Sequence, residues 1–166
     1  MAYKTPQFLL MEKKIDIRLR TLLESYDVHT DLFPKIITGI TERDLNLFKK
    51  GSNIIPWMVG SQVQLRYDIA NWLGIHENQA AAELFSGVQT VQDNAIYPPL
   101  ASFIDDWKKI SPMLRNAIYE LDNEELFLFS KKEPGKTGTF FDLLSDIIQR
   151  ETNCIVHITA WRAFLT

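Results

Sequence analysis

Arg150, Cys154 and His157 follow one another at steps of four and three residues, the repeat that stacks side chains along one face of a helix. Continued both ways, the spacing gives the seam Leu143, Ile147, Arg150, Cys154, His157, Trp161, apolar at its ends and polar or reactive at its middle. Helical bundles build metal and ligand sites from such inward-facing groups, and an unpaired buried guanidinium is costly, so this seam demands a partner for Arg150. Glu151, Asp31, or the carboxylate or phosphate of a ligand could serve. Cys154 could act as a nucleophile beside His157, although a lone helical cysteine is more often a small buried hydrophobe. A wheel rotated by one position would instead bury Leu144, Ile148, Ile155 and Ile158 and leave Arg150 and His157 on the surface.

A second polar interruption, Ser61-Gln62, falls between Met58 and Leu65 on an earlier helix, next to Gly60. Gly60 admits close approach of a backbone or ligand; equally, it lets helices pack while Ser61 satisfies a backbone carbonyl. Ser61, Gln62, Arg150, Glu151, Cys154 and His157 are therefore the candidate pocket residues.

Four amphipathic helices must position them. Helix one carries Ile15, Leu19, Leu22, Leu23, Tyr26, Phe33, Ile36, Ile37 and Ile40 in one stripe, with a kink or break expected between about Asp27 and Pro34. Residues 8–11 start this helix or form a separate piece. Thr41 reads as a cap for one short turn, and residues 49–53 as a loop. Helix two spans about Ile55 to Leu73 and stops at Gly74, with Met58, Val59, Leu65, Ile69, Trp72 and Leu73 in its stripe. A short helix over Glu77 to Phe85 precedes a long connection ending at Pro98-Pro99. Helix three covers about Leu100 to Leu121, with Pro112 as another kink point. Residues 122–138 read as an ordered loop with no strand, and Thr139 caps helix four, which continues to the end of the chain. Four single-striped helices bury their stripes together only as a bundle, and the long connections 74–99 and 122–138 permit a crossover path. The fold class is all-α: one domain over residues 1–166, with residues 1–12 as a possible separate segment.

A chain of 166 residues, 46% hydrophobic and 23% charged, has ordinary globular composition. A net charge of −3 with scattered basic residues gives no footprint for direct nucleic-acid binding. The single cysteine, the polar start and the absence of a long apolar run predict a cytoplasmic protein with no disulfide, signal peptide or membrane span.

Three stretches carry a family resemblance: Trp57-Met58-Val59-Gly60-Ser61 with the Leu73-Gly74 helix end, Tyr97-Pro98-Pro99 before helix three, and Glu151 through Arg162. Over roughly residues 32–166 the chain resembles the DinB/YfiT-like superfamily of four-helix bundles with crossover connections. The resemblance implies a homodimer and a divalent metal on three histidines, with thiol-dependent transferases, a maleylpyruvate isomerase and "DNA damage-inducible" proteins among the relatives. The family's ligand positions fall on Ser61, Arg150 and Cys154, and its glutamine position on His157, while Glu151 and Arg162 match. All three ligand histidines are replaced, and arginine does not ligate metals. The expectation is a DinB-like protein with a degenerate metal site and no cofactor, which binds a small ligand, anionic if Arg150 faces it, or a partner. The alternative is a metal-dependent transferase or hydrolase that holds nickel, zinc or manganese through a changed set including Cys154 and His157.

Overall fold

The computed structural model describes residues 14–47, 53–87, 90–130 and 138–165. Its long helices are α1 (Ile17–Ile37), α3 (Ile54–Trp72), α4 (Leu100–Glu120) and α6 (Phe140–Ala163), with the one-turn helices α2 (Glu42–Asn46) and α5 (Asn123–Phe127) in the connections. The sequence readings for residues 8–11 and 49–52 lie outside the described residues.

Local chemistry sets the helix ends. Thr41 and Thr139 cap α2 and α6 in reciprocal boxes with Asp44 and Asp142, satisfying amide donors that the first turn leaves free. Gly74 follows α3 at φ +84°, a conformation that L side chains resist. The expected helix at residues 77–85 is reduced to one 3-10 turn, Ala82–Leu84. Within 122–138, read as loop, the structure adds α5 and a two-residue antiparallel pairing of β1 (Phe129–Ser130) with β2 (Gly138–Thr139).

Pro34 does not break α1, which continues to Ile37. A proline cannot donate to the carbonyl four residues back, here that of Thr30. Trp107 Nε1 on α4 donates to that oxygen instead, at 3.1 Å. At the far end of α1, Arg162 Nη1 donates to the carbonyls of Ile36 at 2.7 Å and Thr38 at 3.0 Å, so α6 satisfies carbonyls that the end of α1 leaves free.

In the bundle α1 packs on α4 and α6, and α3 packs on the same two, which places α1 and α3 on one diagonal and α4 and α6 on the other. His29 meets Glu151 and Ile36 meets Arg162, so α1 and α6 run in the same direction. Tyr26 meets Ser111 while Thr30 meets Trp107, so α4 opposes α1. Arg66 meets Glu151 while Met58 meets Cys154, so α3 opposes α6 and parallels α4. The path is thus up, down, down, up, with the long 73–99 connection carrying the chain back between parallel neighbours. Phe33, Val59, Val63, Tyr67, Trp107 and Ile110, all at 0% exposure, mark the centre of the core. No helix among the described residues is long and apolar enough to cross a membrane.

Candidate functional site

Helix α6 buries Leu144, Ile147, Glu151, Cys154, Ile155 and Ile158. That face corrects the Arg150 seam in part: its Ile147 and Cys154 are buried as expected, but Glu151 and not Arg150 enters the core, and Arg150 and His157 lie exposed. The rotated alternative is met at Leu144, Ile155 and Ile158, while Ile148 stays half-buried.

A buried guanidinium does face Glu151, but it comes from Arg66 on α3. Both side chains are at 0% exposure, and Arg66 Nε and Nη2 donate to the two carboxylate oxygens at 2.7 and 2.9 Å. This two-pronged geometry is the strongest form of the pair. Arg66 Nη1 donates to Thr30 Oγ1 at 2.7 Å and Ser111 Oγ at 2.6 Å, so α1 and α4 join the same cluster. Trp107 and Tyr26 lie against the guanidinium, 3.5 and 3.9 Å from its carbon to their ring centroids. Glu151 Oε2 also meets His29 Nδ1 at 3.0 Å, and His29 Nε2 meets Thr152 Oγ1 at 3.3 Å.

Charge follows from these contacts. Burial pushes the Glu151 carboxyl up, but the charge of Arg66 and the hydrogen bonds from His29 and Arg66 outweigh it and hold the group below its ordinary value. Burial, with a smaller contribution from Glu151, pushes the Cys154 thiol up to about 12, and the thiol donates weakly to the Met58 carbonyl at 3.8 Å. Such a thiol is protonated at neutral pH, the wrong state for a nucleophile or a metal ligand.

The other sequence candidates separate from this centre. Ser61 donates to Met58 O at 3.0 Å, satisfying a helix carbonyl. Gln62 is half-buried, and its Oε1 is buried without a hydrogen-bond partner. At Gly60 the close approach is that of a side chain: a Cβ there would stand 2.0 Å from the Phe85 ring, so its absence seats that ring. Sequence reasoning missed Arg66, whose signal is its place in Val59, Val63, Arg66, Ala70, a run at steps of four, three and four that is otherwise apolar.

The family's metal does not fit these residues. Its ligand positions here hold a hydroxyl bound to its own helix, an exposed guanidinium and a buried protonated thiol. Among the described residues no group of three His, Cys, Asp or Glu side chains is placed to hold an ion.

At one end of the bundle a cavity of about 560 Å³ opens between the α1–α2 corner, the start of α3 and the segment leading into α4. Ile40, Leu45, Pro56, Tyr97 and Leu100 give it apolar walls, and the Asn53 side-chain amide pins its floor, its two N–H groups shared among the carbonyls of Gln92, Asp93 and Ala95. Ile96, 91% exposed, stands on the rim. No protein-family model matches the chain, and neither does any curated protein or solved structure.

Proposed function

We propose that this chain is a DinB-like bundle in which an internal ion pair has replaced interior metal chemistry, and that it works as a binding module for a small molecule taken up in the end cavity. The observation that carries the reading is the pairing of Glu151 with Arg66 and His29. This residue, which matches the family's last-helix motif, has both oxygens engaged by Arg66 and one of them by His29 as well, so its charge is already matched inside the protein. The cavity is of the size small ligands occupy, about 300–1,000 Å³, and combines apolar walls with a few polar groups.

The expected anionic character of the ligand loses its basis in Arg150, which is exposed. It finds another in the parallel helices α3 and α4, which both begin at the cavity with no side-chain cap and no acidic residue in the first turn. Their free amide ends favour an acidic ligand over a basic one, while Glu42 on the rim works against it. A homodimer belongs to the same proposal and rests on the resemblance alone.

The test pairs elemental analysis and titration of nickel, zinc and manganese into untagged protein with a thermal-shift screen of small carboxylates, phosphates and amines. We expect no stoichiometric metal, and acidic hits that lose their effect in Ala101→Trp, which fills the cavity from an exposed position. Stoichiometric metal that disappears in a Cys154→Ala, His157→Ala double variant would overturn the reading in favour of a metal-dependent transferase.

A further inference from the structure

His29 presents its two ring nitrogens to two neighbours on α6 with unlike hydrogen-bonding needs. Glu151 is held ionised, and an ionised carboxylate only accepts, so the Nδ1 that lies 3.0 Å from it carries a proton. On the other side Thr152 has one hydroxyl hydrogen and two acceptors within reach, Ile148 O at 2.9 Å and the lone pair of a neutral His29 Nε2 at 3.3 Å. With a neutral imidazole only one of these contacts can be made. With an imidazolium both are made at once: Nε2 donates to Thr152 Oγ1, and the hydroxyl hydrogen goes to Ile148 O.

We propose that His29, Thr152 and Ile148 form a proton-operated clasp between α1 and α6. Protonation of His29 lets Nε2 donate to Thr152 Oγ1 while the hydroxyl hydrogen is kept on Ile148 O, and completes an unbroken run of hydrogen bonds linking Ile148, Thr152, His29 and Glu151. No group moves by more than a hydroxyl rotation, so the bundle stays closed while the seam gains one hydrogen bond. His29 is 8% exposed and Thr152 half-buried, which lets a proton arrive from solvent without unfolding.

The surrounding charges are accounted for on every packed element. Glu151 on α6 touches the ring, and Arg66 on α3 is already matched by Glu151. On α1 itself Tyr26 is neutral, since burial pushes its hydroxyl up to about 12; Asp31 is exposed; and Asp27 is paired with Arg115 of α4. The second α4 group in the cluster, Ser111, is neutral and bound to Arg66.

The experiment is long-range nitrogen NMR of the three histidines between about pH 8 and pH 5, the range in which imidazoles titrate, alongside urea unfolding of wild type and Thr152→Val. His76 and His157 are both exposed and serve as reference rings in the same spectrum. We expect His29 to hold its Nδ1 proton throughout and gain one at Nε2 as the pH falls. We also expect the loss of unfolding midpoint caused by Thr152→Val to be at least about twofold larger at the acid end, with Thr152→Ser restoring it. A midpoint difference that does not change with pH, or a His29 that never gains the Nε2 proton while the folded signals persist, overturns the clasp. Valine and serine are close in size to threonine at a half-buried site, so the comparison does not depend on a variant that fails to fold.

Discussion

Trp107 completes Thr30: the indole on α4 donates to the one α1 carbonyl that Pro34 leaves without a helical partner. The same ring stacks on Phe33 at 4.1 Å and lies against Arg66. A proline in the middle of a helix is thereby turned into a contact between helices. Trp107→Phe keeps most of the apolar bulk but strands the carbonyl. It should cost about 1–3 kcal/mol in urea unfolding, more than Pro34→Ala, which restores an amide donor.

Arg66 and Glu151 are buried together, so each is harmful alone. Arg66→Met should destabilise by about 3–5 kcal/mol because it leaves a buried carboxylate uncompensated. The Arg66→Met, Glu151→Leu double variant should be more stable than the Arg66→Met single. Urea unfolding of the full cycle checks this through the sign of the coupling.

Acid should act on the same pair. The Glu151 carboxyl is held below its ordinary value of 4.5 when folded. Its contribution is therefore fully present above that value and is lost as the pH falls towards the folded pKa, because the unfolded chain takes up the proton first. Glu151→Gln should be less stable than wild type at neutral pH, and the gap between their urea midpoints should narrow as the pH drops below about 4.5. A gap that widens in acid would mean the pair does not hold the carboxyl down.

Cys154, 2% exposed with its thiol pushed up to about 12, should resist a disulfide reagent in the folded protein. Labelling should accelerate in step with unfolding as urea is added. Rapid labelling in the absence of denaturant would show that the thiol is reachable and would revive it as a nucleophile.

Gly60→Ala should destabilise, because the new methyl would occupy the place of the Phe85 ring. Phe85→Leu introduced into that background should recover part of the loss, whereas in wild type it leaves a void. Thermal unfolding of the three variants tests the pairing.

The elements were legible because their signals are local. Apolar steps of three and four, the threonine caps at Thr41 and Thr139, and the stop at Gly74 need no knowledge of the partner helix. The rotation of α6 was not local. One residue is about 100° of helix, so choosing between Arg150 and Glu151 as the inward group depends on what faces them, and Arg66 lies 85 positions earlier in the chain. Arg66 escaped notice for the same reason: an arginine in an apolar stripe reads as a residue snorkelling to the surface until its counterion is known. The buried polar centre of the bundle is specified jointly by residues that look unremarkable when taken singly.

That separation has a cost during biosynthesis. At elongation rates of about 5–20 residues per second, the codon for Glu151 is read roughly 4 to 17 s after that for Arg66. Until then, a nascent chain that collapses around α1, α3 and α4 would have to bury a guanidinium without its counterion or leave it in water. The emerging chain is expected to wait for its last helix, and a ribosome stalled before that helix would hold a chain open to chaperones and proteases.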